Sequence, residues 1–140
     1  MIKLKNKKLS ISLMKNGSVG EIIDHNIMIN QVSGNELDGS ITNFYLRIHQ
    51  GKEISFTSLI GPNSPSKLTV GAKSATWHGV FNGVSYQVSL RLGEDAWFWH
   101  VTTASSQPKI IDITYIQDVG LGTKEFVTSN EAYSSQYLDQ

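Results

Sequence analysis

The sequence has no cysteine among its 140 residues. A disulfide, a thiolate nucleophile and a zinc–thiolate site are therefore all excluded, which suits a reducing cytoplasm. Net charge is lacking as well: twelve basic residues balance twelve acidic ones. A chain without a basic excess argues against a nucleic-acid partner, whose affinity rests on a basic surface neutralising phosphates. No apolar run is long enough for a signal peptide or a membrane span. No stretch carries the 3.6-residue periodicity of an amphipathic helix of three turns, and no fixed-period repeat is visible. The expectation is a soluble, cytoplasmic, single domain over residues 1–140, without cofactor, metal or membrane partner. One local imbalance exists: Lys3, Lys5, Lys7, Lys8 and Lys15 all precede the first acidic residue, Glu21. They are read as solvated guards against edge-to-edge strand pairing.

Period-two alternation is what the chain does contain. Leu9, Ile11 and Leu13 share one side of a strand, Asn16-Gly17 supplies a hairpin turn, and residues 18–24 return. Ile27, Ile29 and Val32 suggest a further extended piece, and Gly34 to Ser40 is a loop by composition. Phe44, Leu46 and Ile48 alternate with Tyr45, Arg47 and His49 before Gln50-Gly51 turns the chain into residues 53–57. Pro62 and Pro65 mark a second loop. Strands then follow at residues 67–70, 74–81, 84–92, 96–102 and 109–116, with Asn82-Gly83 and Gly93-Glu94-Asp95 as turns. About ten short strands joined by polar turns make an all-β, antiparallel sandwich or barrel.

Candidate chemistry is sparse. His25, His49, His78 and His100 are far apart and lack metal-ligand spacing. Gly120-Leu121-Gly122 lacks the lysine and helix of a phosphate loop and reads as a turn. Glu94 and Asp95 are adjacent in a turn, and Asp112 lies mid-strand between Ile111 and Ile113. Asp118 and Glu131 are the more suggestive carboxylates, although hydrogen bonding to loop backbone is the commoner duty of such residues. In Trp97-Phe98-Trp99-His100 the two tryptophans share one face of a strand. One face of the strand must be core, and the other is either a flat apolar platform on which a sugar ring stacks or a surface covered by a neighbouring domain. The final segment carries Tyr133, Tyr137 and Leu138 among Gln117, Asp118, Asn130, Glu131 and Gln136. Large apolar groups and amides of this kind are not those of a loose tail, and the expectation is that they meet the rest of a longer protein.

Several segments together resemble the N-terminal region of glycoside phosphorylases of glycoside hydrolase family 94. They are residues 17–19 through 29–31, residues 43–47, residues 97–101, and above all residues 115–121 and 130–137. The similarity is greatest to members acting on β-1,2-linked oligoglucans, relatives of cyclic β-1,2-glucan synthase. It implies a galactose-mutarotase-like β-sandwich, partial at this length, with a helical linker and an (α/α)6 catalytic barrel elsewhere in the polypeptide. It also implies that the parent carries out inverting phosphorolysis and that this chain contributes no catalytic residue. Trp97, Trp99, Gln117, Asp118, Glu131, Tyr133 and Gln136 are the candidates for carbohydrate or inter-domain contact. The partners implied are the downstream catalytic domain, an oligosaccharide, and a second copy through unpaired sheet edges. A free-standing carbohydrate-binding module, using Trp97 and Trp99 or Tyr133 and Tyr137, is the alternative. A lipid-carrier barrel is disfavoured for want of a helical lid.

Overall fold

The structure is a computed structural model that describes residues 2–120 and the backbone of residues 122 and 123. All the regular elements among them are strands: β1 (Ile2–Lys5), β2 (Leu9–Leu13), β3 (Val19–Asp24), β4 (Ile27–Met28), β5 (Asn43–Gln50) and β6 (Glu53–Ser58). They continue with β7 (Lys67–Val70), β8 (Ser74–Phe81), β9 (Val84–Leu92), β10 (Trp97–Ser105), β11 (Ile110–Ile116) and β12 (Gly122–Thr123). The strands form three antiparallel sheets, ordered β1-β2-β3-β4-β12, β10-β9-β8-β7 and β11-β5-β6. The expected all-β fold is present. Its sandwich is built from three sheets around one core, not from two continuous layers.

Turn chemistry sets the hairpins. Asn82 and Gly83 both have positive φ, 47° and 81°, and join β8 to β9 in continuous register from Phe81↔Val84 to Ser74↔Arg91. Such a mirror-image turn matches the twist of the flanking strands. At the β2–β3 turn Gly17 alone takes the left-handed conformation, while the Asn16 side chain accepts from the Ser18 N–H at 2.9 Å. A bulge then lies between Ile11 and Leu13, where the Glu21 N–H turns to the Ser12 hydroxyl at 2.8 Å. The extended piece expected around residues 27–32 contracts to the two-residue β4, because Asn30 interrupts it. The buried Asn30 amide accepts from the Ile22 N–H and donates to the Gly20 and Val32 carbonyls. A side chain here supplies the partners that a strand neighbour would otherwise supply.

The core follows the alternation. Leu9, Ile11 and Leu13 from the first sheet meet Phe44, Leu46 and Ile48 from β5 and Ala75, Trp77, Val84, Tyr86, Val88 and Leu90 from β8 and β9. Each such large side chain contributes about 1.5–3 kcal/mol on full burial. Trp77 sits at the centre, 1% exposed, with its indole N–H donating to the Gly17 carbonyl at 2.9 Å. That bond ties the first hairpin to the β8 layer across the core.

Candidate functional site

The outer face of the β6-β5-β11 sheet brings Arg47, His49 and Asp112 together. Register sets its rows: Phe56, Arg47 and Asp112 lie directly across from one another, and so do Ile54, His49 and Ile110. Partners opposite one another in antiparallel strands project to the same side. Asp112 therefore receives the Arg47 guanidinium in two bonds, Nε to Oδ1 at 2.7 Å and Nη2 to Oδ2 at 2.9 Å. His49 Nε2 lies 2.7 Å from the same Oδ2. The hydrogen bonds from Arg47 and then His49 hold the Asp112 carboxyl at a pKa of about 2. A carboxylate so far below neutrality is a poor proton donor, so this group organises the face and does not act as a general acid.

A groove opens at the end of this face. Tyr45 and Ser58, paired across β5 and β6, and Phe56 form one wall. Asp38, Ser40 and Asn63 from two loops form the other, enclosing about 320 Å³. The wall loops are braced by backbone and amide bonds. Asn35 and Gly39 exchange both backbone bonds, at 2.8 and 3.0 Å, and Asn35 Oδ1 accepts from the Leu37 and Asp38 N–H groups. The buried Asn43 side chain clamps residue 60, accepting from the Ile60 N–H at 3.0 Å and donating to its carbonyl at 2.9 Å.

The sequence-selected residues lie elsewhere. Trp97 and Trp99 turn inward, half-buried against the core, whereas Phe98 and His100 face solvent. Trp99 joins Phe44, Trp77 and Tyr115 in an aromatic cluster with ring centroids 4.7–6.2 Å apart. Among the described residues the buried Trp99 indole N–H makes no aligned hydrogen bond; burial raises the Tyr115 pKa, and the nearby Trp99 opposes that rise. Gln117 accepts from the Tyr115 hydroxyl and donates to the Thr42 hydroxyl at 3.1 Å. Asp118 accepts from the Val32 N–H at 2.8 Å, the loop-backbone duty expected of it. Gln117 and Asp118 thus lock the chain after β11 onto the loops around residues 32 and 42. Glu131, Tyr133 and Gln136 lie outside the described residues. Sequence reasoning missed both the Asp112 network and the groove. Arg47 and His49 at i and i+2 announce a shared face, but Asp112 and Phe56 join it only through strand register.

A family model described as the SOGP N-terminal domain matches residues 12–140. The chain belongs to the SOGP N-terminal domain family. It is also 29% identical over 136 residues to the 1,2-beta-oligoglucan phosphorylase of Listeria innocua serovar 6a. That alignment covers 97% of this chain and 12% of the relative. The resemblance to the N-terminal region of a family 94 phosphorylase holds on both comparisons. This SOGP N-terminal domain corresponds to a small part of the relative's length.

Proposed function

We propose that this SOGP N-terminal domain is a non-catalytic β-sandwich segment of a glycoside phosphorylase. The parent polypeptide would carry out inverting phosphorolysis of β-1,2-glucooligosaccharides with a catalytic domain outside this chain. The observation that carries the reading is the match over 97% of this chain to only 12% of a phosphorylase. Galactose-mutarotase-like kinship and a cytoplasmic setting belong to the same reading.

The partner is then the downstream catalytic domain, and the sheet edges support this. β1 is guarded by Lys3 and Lys5, β7 by Lys67 and β6 by Glu53. β10 carries no Lys, Arg, Asp or Glu over nine residues, and the one charge of β11, Asp112, is engaged by Arg47. Unguarded edges of this length invite pairing, either with the rest of the polypeptide or with a second copy. The decisive assay is release of sugar 1-phosphate from β-1,2-linked glucooligosaccharides and inorganic phosphate. The 140-residue chain should release none, and the full-length polypeptide should turn over. Turnover by the chain alone, or an inert full-length polypeptide, would overturn the reading.

A further inference from the structure

We infer that the groove between the Asp38–Ser40 loop and the β5–β6 face is a binding subsite for a neutral pyranose. This goes beyond the domain's assignment to a phosphorylase: the ligand class rests on the groove's own chemistry, and the β-1,2 linkage of the probe rests on the proposed function. Phe56 is 67% exposed on the outer face of β6. Tyr45 lies on its diagonal across β5, so two aromatic groups share one wall. Exposed aromatic faces suit the apolar C–H face of a sugar ring.

The opposite wall supplies what sugar hydroxyls need. Asp38 is an acceptor, and among the described residues its carboxylate has no ion-pair partner. Ser40 and Asn63 add hydroxyl and amide groups that both donate and accept, and Ser58 adds a hydroxyl from the aromatic wall. Among the described residues, no Lys, Arg or His lines the groove. A phosphate or a nucleic-acid strand would therefore meet a carboxylate and no cation, which disfavours both. A volume of about 320 Å³ is at the low end for small-molecule sites and fits a short oligosaccharide.

The walls are also set before any ligand arrives. Gly39 has φ of +86°, and a Cβ there would approach Pro62 Cδ to 2.9 Å. The Asp38 loop thus packs directly on the loop that carries Asn63. With the Asn35 and Asn43 bonds already in place, little ordering remains to be done on binding. Trp97 and Trp99 have no part in this subsite. Phe56 and Tyr45 take the stacking role on a different sheet.

The test is an NMR titration of the 140-residue chain with a β-1,2-linked glucose disaccharide. Saturable shifts are expected at residues 38–40, 45, 56–58 and 63, with a Kd of about 1–10 mM for so open a groove. Phe56→Ala should weaken binding by roughly tenfold, the loss of one stacked ring. It should leave the rest of the spectrum in place, because the side chain is exposed. Asp38→Asn should weaken binding while Phe56→Trp keeps it. Inorganic phosphate and tetramethylammonium ion should leave the groove unshifted, the second being the probe for an aromatic cation site. No saturation, shifts centred on residues 97–99, indifference to both weakening variants, or preference for the cation would each overturn the proposal. The phosphorolysis assay is independent of all of these, so either reading can fail without the other.

Discussion

β9 and β10 lie side by side in register over nine residues, yet their fates differ. On β9, Val84, Tyr86, Val88, Leu90 and Leu92 are all buried, at most 4% exposed. Their partners on the same face of β10 are Ser105, Thr103, Val101, Trp99 and Trp97. Of these the first two are exposed and the other three only half-buried. The sequence pattern alternates on both strands. Position decides the difference: among the described residues β9 has a strand on each side, and β10 has one on a single side. Burial decays within one strand spacing of the core, and it decays along β10 as well, from the tryptophans toward Ser105. Trp99 sits where Phe44 of β5 and Tyr115 of β11 meet it.

Three measurements sharpen or break this contrast. The largest effect is expected at β9. Leu90→Ala removes a fully buried side chain and should lower unfolding stability by about 2–5 kcal/mol in chemical denaturation. Val101→Ala on β10, half-buried, should cost about 1 kcal/mol or less. Equal losses would mean that β10 is as enclosed as β9. The acid response comes next. Asp112 is held at about 2, below its ordinary value near 3.8. A depressed carboxyl contributes stability that is full above the unfolded value and is lost as pH falls from there through about 2. Asp112→Asn should flatten acid destabilisation between pH 4 and 2, and a carboxyl NMR titration reading near 4 would remove the basis for this. The smallest change in stability is expected for Thr102→Lys on the exposed face of β10, within about 0.5 kcal/mol of the parent. Its effect should appear in assembly: light scattering after size exclusion should show less self-association than the unaltered chain. A chain already monomeric at high concentration would argue that the edge is not open.

Much of the fold was legible because its signals are local. The strands expected at residues 67–70, 74–81 and 84–92 occupy those spans, since Asn82-Gly83 sets both the turn and the register on either side. Phe44, Leu46 and Ile48 face inward as their alternation implies. The piece around Ile27 to Val32 was less legible, because Asn30 satisfies backbone groups from its side chain and ends the strand early. The site was least legible. Trp97 and Trp99 stood out as aromatics, but alternation places them on one face without saying which face is core. Phe56 and Asp38 are unremarkable in sequence and become neighbours only through the packing of two loops on β5 and β6.

By itself, the sequence determined the all-β class, most strand limits, the inward side of each central strand and the kinship with phosphorylase N-terminal regions. These depend on periodicity, turn residues and local motif, which act over a few positions along the chain. Tertiary structure alone decided that three sheets share the core, that Asp112 joins Arg47 and His49, and that Tyr45 and Phe56 face Asp38 across a groove. Each of those depends on register and layer packing between residues distant in sequence, which no local pattern encodes.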